Sequence, residues 1–206
     1  MGLLIRMKGR KAWQVTRSVR RAVLRVCLVL CIAVLGVFAT LISVGAQSKS
    51  TQEYQVKAAF LYSFTKFVEW PDSSFANDQA SLSICILGED PFGDALDAIR
   101  SKTVRDRKLV IKQISEIENM GQCHILFISE SEKLDLPAIL RKIGHMAILT
   151  VGDMKGFTES GGMINLVKLD KKIRFKINLK AAQKAGLKLS SQLLKLAVEI
   201  EGGDQR

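Results

Sequence analysis

The chain has 206 residues, 48% of them hydrophobic, and its 31 Lys and Arg outnumber 20 Asp and Glu for a formal net charge of +11. Eight of those bases fall within the first 25 residues, where there is no acid. The basicity therefore belongs to one terminal segment, and it does not mark a nucleic-acid-binding protein.

Arg6, Lys8, Arg10, Lys11, Arg17, Arg20, Arg21 and Arg25 precede an uncharged apolar stretch from Val26 to Ser48. A positive segment followed by an apolar core is the pattern of an export signal. Val44-Gly45-Ala46 places short residues where a signal peptidase reads, with Gln47 first in the mature chain. The apolar stretch exceeds the usual roughly 7 to 15 residues and approaches the roughly 20 that span a bilayer, so an uncleaved anchor is the alternative. A start at Met7 would shorten the basic segment and leave the reading unchanged. Cys27 and Cys31 lie inside the apolar stretch without the small residues of a lipoprotein site, and leave with the signal. The chain thus divides into a signal segment, 1–46, and a periplasmic domain, 47–206. Taking eight bases from 31 leaves 23 against all 20 acids, a net +3 on the mature chain. Its length suits one domain with a real core.

"QVKAAFLYSFTKFVEW" sets Val56, Ala59, Phe60, Ser63, Phe64, Phe67 and Val68 at helical spacing, and Pro71 stops the helix. Leu82 to Leu87 is a buried strand. A helix from about Pro91 to Arg100 turns Phe92, Ala95, Leu96 and Ile99 inward. "KLVIKQI" and "HILFIS" are the second and third strands. Ser131 caps a helix with Leu136, Ile139, Leu140 and Ile143 inside and Gly144 at its end. "MAILTVG" is the fourth strand, and it enters a loop with Gly152, Gly156, Gly161 and Gly162, read as a hinge or connection. "GMINLVKLDKKIRFKINL" then alternates twice about Asp170-Lys171 as a hairpin, with Ile173, Phe175 and Ile177 on one face and Arg174 and Lys176 on the other. Asn178 caps a short helix ending at Gly186, and Ser190 or Ser191 caps a last one, "QLLKLAVEI". The expected fold is a single α/β domain: a mixed β-sheet flanked by helices, with a C-terminal β-hairpin plus helices.

Cys85 and Cys123 are the only cysteines of the mature chain, each beside an apolar strand. In an oxidising compartment one disulfide is expected, with two buried thiols as the alternative. His124 and His145 supply no zinc-ligand spacing. The turn Gly88-Glu89-Asp90-Pro91-Phe92-Gly93 follows a strand as nucleotide-binding turns do, but it lacks both glycine-rich phosphate motifs. It also puts two carboxylates where a phosphate would sit. No H-E-x-x-H, G-x-S-x-G or Cys-His context occurs, so no enzyme, metal or cofactor is indicated. Charge is segregated: seven acids and no base from Glu69 to Asp97, eight bases and Asp170 alone from Lys168 to Lys188. Lys180 and Lys184, one turn apart, share an exposed face suited to an acidic partner or an anionic membrane.

Six segments in order, "QVKAAFLYSFTKFVEWP", "ICILGEDPFG", "CHILFIS", "ILTVGDMKGFTESGGMINLV", "IRFKINL" and "AGLKLSSQLLKLA", resemble the YfiR family of periplasmic proteins. The resemblance covers essentially the whole mature chain. It implies an exported, non-enzymatic regulator, often a homodimer, that binds the periplasmic domain of an inner-membrane diguanylate cyclase and holds it inactive. Cyclic-di-GMP and biofilm formation fall as a result. Cys85 and Cys123 match the family's disulfide positions. A second cysteine pair that some relatives carry near the glycine-rich loop is absent between Gly152 and Gly162. Partner contacts are expected at Phe157, Met163, Arg174 and Lys176. The competing readings are a periplasmic small-molecule binder, with its ligand near Gly88 to Asp90 and Ser129-Glu130, and an envelope hydrolase.

Overall fold

All six side chains of strand β2, Leu82–Leu87, are buried. A strand covered on both faces sits at the centre of a sheet with parallel neighbours, and β2 lies between β4, Arg107–Ile114, and β5, Ile125–Ile128, parallel to both. A computed structural model of the protein describes residues 51–202 except Gly121. The expected signal segment, with Cys27 and Cys31, lies outside the described residues.

Within the described residues the chain forms one mixed α/β domain. Its main sheet has eight strands in the order β10-β8-β7-β6-β5-β2-β4-β3. The added members are β3, Thr103–Val104; β6, Leu149–Gly152; β7, Ile164–Leu169; β8, Lys172–Asn178; and β10, Glu199–Glu201. Pairing is parallel from β4 across to β7, antiparallel within β3–β4 and β7–β8, and parallel again between β8 and β10. A second, two-stranded sheet pairs β1, Val68–Glu69, with β9, Lys188–Leu189.

The pleat divides the core in two. Leu82, Ile84 and Ile86 join Phe127, Val151 and Phe175 on the larger side, where helix α1, over residues 51–67, and α2, Asp97–Arg100, pack. Phe64 and Phe60 of α1 meet Phe175 with ring centroids 5.4 and 5.5 Å apart. On the other side Cys85, Leu87, Leu126 and Ile128 meet Leu136, Ile139 and Ile143 of α3, Leu136–Ile143. Helices on opposite faces after successive strands make the fold doubly wound.

Several details differ from the sequence expectation. The inner face of α1 is Ala58, Leu61, Phe64 and Thr65, while Val56 is 41% exposed. Apolar residues occur all round this helix, so periodicity alone cannot choose the face. Ser131 does not cap α3, whose N-cap Asp135 makes no side-chain bond. The 91–100 helix opens as a 3₁₀ turn, Gly93–Leu96, although Phe92, Ala95, Leu96 and Ile99 are all buried as expected. The last helix, α5, is only Ser191–Leu196; Val198 then donates its N–H to Phe175 O at 3.0 Å and the chain continues as β10. An open edge on β8 satisfies backbone groups better than two more helical residues of β-branched character would.

Other signals act as read. Asp170 and Lys171 both have positive φ, 48° and 63°, as a two-residue hairpin turn requires. Arg105 and Asp106 repeat that turn between β3 and β4, a hairpin the apolar pattern did not disclose. Asn178 Oδ1 accepts the Ala181 N–H to cap α4, Leu179–Lys184, and Ser190 Oγ accepts the Leu193 N–H to cap α5.

Cys85 on β2 and Cys123, just before β5, are joined as a disulfide with Cα atoms 6.0 Å apart and a sequence separation of 38. Closing a loop of that size stabilises the fold by about 4 kcal/mol on the chain-entropy account. We expect Cys85→Ala/Cys123→Ala to lower the denaturation midpoint accordingly, and a thiol assay on unreduced protein to find both cysteines unreactive; two reactive thiols would refute the bridge.

Candidate binding face around the glycine-rich loop

Strand β6 ends at Gly152 and the chain does not return to the sheet until Ile164. The intervening turn is tightly built. Phe157 is fully buried inside it, and a Cβ on Gly152 or Gly162 would fall 2.6 or 2.2 Å from its ring. Only glycine leaves room for that ring. The turn closes on itself through Gly162 N–H to Phe157 O at 2.9 Å and Ser160 N–H to Gly156 O at 3.0 Å. It is tied to the hairpin by Asn178 Nδ2–H to Thr158 O at 3.2 Å. This is a packed, internally bonded loop, not a loose hinge.

Two expected contact residues consequently face inward. Phe157 has no exposed surface and Met163 only 5%, its N–H held by Thr150 Oγ1 at 2.9 Å. In this arrangement neither offers a side chain to a partner. An aromatic in a glycine-rich segment reads as exposed when the glycines are taken as linkers; here they make space for it.

The other two residues lie on the polar face of β8. Arg174 is exposed. Lys176 bridges Glu199 of β10 at 2.7 Å and Glu159 of the loop at 3.6 Å. Hydrogen bonding to Glu199 leads the causes that hold its pKa above the ordinary range. Arg174 is thus the freer cation, while Lys176 also secures the edge strand and the loop.

A buried charge network that sequence reasoning missed joins α1 to the same loop. Lys57 is 5% exposed and meets Asp153 Oδ2 at 2.7 Å and Glu53 Oε1 at 2.8 Å. Tyr54 donates its hydroxyl to Asp153 Oδ2 at 3.0 Å, and Glu53 pairs with Lys168 of β7. Burial alone would lower the Lys57 pKa, but hydrogen bonds to Asp153 and Glu53 outweigh it and raise it. For Glu53, burial pushes upward and the two lysines prevail, lowering it. The available clue was Lys57, followed directly by the apolar run Ala58 to Tyr62 of the helical stretch.

The position where a doubly wound domain takes a ligand, beyond the C-terminal ends of β2 and β5, is filled by the chain itself. A Cβ on Gly88 would lie 2.3 Å from Ser131 Oγ and 2.5 Å from Glu132 Oε1. Glu89 donates its N–H to Ser131 Oγ at 3.1 Å. The hydroxyl expected to cap α3 therefore seals the crevice between Gly88 and Ser129. Open space lies to either side: a cleft of about 300 Å³ between Leu87, Ser115 and Glu132, one of about 540 Å³ between α3, the loop end and α4, and one of about 330 Å³ beside the Lys57 network.

The two histidines are separate. His124 is buried, stacks on Phe75 at 4.5 Å, and accepts the Ser83 N–H at Nδ1. Burial pushes its pKa down, so it is a neutral packing group. His145 is exposed on the larger cleft. Among the described residues no three His, Cys, Asp or Glu gather as metal ligands, and no helix is long and apolar enough to cross a membrane.

A doubly wound sheet with a self-filled crevice, a bridged central strand and a braced glycine-rich loop describes a compact α/β domain with its polar surfaces at the hairpin and clefts. Residues 54–198 match the family described as YfiR/HmsC-like, well over half of the chain. The protein belongs to the YfiR/HmsC-like family.

Breaking the buried pair leaves Asp153 desolvated, so Lys57→Met should cost about 3 kcal/mol in chemical denaturation, with Lys57→Met/Asp153→Leu recovering most of it. The pH signs follow from the shifts. Glu53, lowered in the fold, contributes above its ordinary 4.5 and loses that contribution as pH falls through its folded value. Lys57, raised in the fold, contributes below its ordinary 10.5 and loses that contribution as pH rises through its folded value. Relative to Lys57→Met, the wild-type advantage should be steady between those limits and shrink outside them in pH-dependent unfolding.

Proposed function

We propose that the protein is a non-enzymatic periplasmic regulator that binds an inner-membrane signalling protein, such as a diguanylate cyclase, through that partner's periplasmic domain. In this reading it represses the partner and so lowers cyclic-di-GMP and biofilm formation. Membership of the YfiR/HmsC-like family over residues 54–198 carries the reading. Action by binding is supported by the crevice at Gly88, where side chains of Ser131 and Glu132 take the place a substrate would need. Export depends on residues 1–46, and the homodimer is the working form.

The contact face we assign is the polar side of the hairpin with exposed Arg174 at its centre. Lys176 supports it through Glu159 and Glu199. The experiment is crosslinking in the native host followed by recovery from membranes and mass spectrometry. Capture of a membrane protein with a cytoplasmic cyclase or comparable output domain is expected, and a deletion strain should show raised cyclic-di-GMP. Arg174→Glu should weaken capture about tenfold, the equivalent of about 1.4 kcal/mol. Recovery of the protein alone, while a control periplasmic complex is captured, would overturn the reading; undiminished capture by Arg174→Glu would remove Arg174 from the contact.

A further inference from the structure

The larger cleft, about 540 Å³, is the size of a site for one small organic molecule. Its ionisable lining residues are Arg141 at the end of α3, His145, and Lys180 and Lys184 on α4. Among the described residues no carboxylate lines it. The neighbouring cleft differs: there Lys57, Lys168 and Lys176 each have a carboxylate partner. In the larger cleft Arg141, Lys180 and Lys184 have no ion pair among the described residues. Cations gathered without counter-charge around a concavity raise the local positive potential and concentrate anions there.

The remaining walls say what kind of anion. Pro137, Leu140 and Ala181 give an accessible apolar lining, with Ile143 and Met163 buried behind it. Thr150 also lines the cleft although it is only 2% exposed. Its Oγ1 accepts the Met163 N–H at 2.9 Å, which leaves the hydroxyl hydrogen available to donate. Arg141 adds a planar fork that matches an oxyanion, and Lys180 and Lys184 stand one helical turn apart beside it.

We propose that this cleft binds a small organic anion, a carboxylate or phosphate head on an apolar body. The head is held by Arg141, Lys180 and Lys184, and the body rests on Pro137, Leu140 and Ala181. This goes beyond the regulator reading and does not rest on it, because ligand binding is measured without the membrane partner.

The test uses the exported protein purified from its host and titrated by calorimetry at fixed ionic strength with phenyl phosphate, phenylacetate and inorganic phosphate. At least one aromatic probe should bind with a dissociation constant below about 1 mM and about tenfold more tightly than inorganic phosphate. The better of the two aromatic probes identifies the head group. Arg141→Ala and Lys180→Ala/Lys184→Ala should each weaken that binding about tenfold or more, whereas Lys108→Ala, on β4 three strands across the sheet from β6, should leave it unchanged. The substituted side chains are exposed, and an unaltered unfolding midpoint checks that the fold persists. Equal weak binding of all three probes, or binding indifferent to Arg141→Ala, would overturn the proposal as mere surface-charge association.

Discussion

Strand β2 has no solvent face, and the architecture follows from that constraint. A strand buried on both sides needs neighbours that run parallel and crossovers that lay helices on both faces of the sheet. The connection through α2 covers one face and α3 the other, so apolar side chains from alternate positions of β2 enter two separate cores. The disulfide lies within the smaller core and links β2 to the chain that enters β5. Hydrophobic burial sets the sheet, and the bridge limits the unfolded chain's freedom to leave it.

The second organising feature is the packing of Phe157 between Gly152 and Gly162. Burying an aromatic ring inside a surface loop gives that loop a small core of its own, which explains why a glycine-rich segment holds one conformation. Lys57 and Asp153 join the loop to α1. Exchanging a buried ion pair for well-packed apolar groups is often neutral in energy, whereas stranding one partner is costly. The pair therefore serves position more than net stability: it fixes which part of α1 lies against the loop.

These features leave the polar chemistry at the periphery. The usual ligand position of a doubly wound fold is occupied by Ser131 and Glu132, and the buried histidine is a packing element against Phe75 and Trp70. The accessible surfaces include the outer face of the hairpin and the basic cleft beside it. The same run of the chain, from Lys168 to Lys188, supplies cations to both, but in β8 Lys176 has acidic partners while in α4 Lys180 and Lys184 have none among the described residues. A single basic stretch in sequence becomes two electrostatically different surfaces.

The sequence by itself determined those features whose cause is local. Period-two and continuous apolar runs marked β2, β4, β5, β6 and the β7–β8 hairpin. Asp170-Lys171 marked its turn, and Asn178 and Ser190 marked two helix starts through hydrogen bonds made within three residues. The parts that were not legible depend on groups far apart in the chain. Which side of α1 faces inward was decided by Phe175 and by Asp153, 96 residues beyond Lys57. Whether residues near Ile200 continue a helix or form a strand was decided by the free edge of β8. Ser131 could cap α3 or close over Gly88, and only the arrival of β2 beside it selected the second. Local propensity proposes a small set of conformations for each segment; burial and backbone pairing across the sheet, which no short window of sequence contains, select among them.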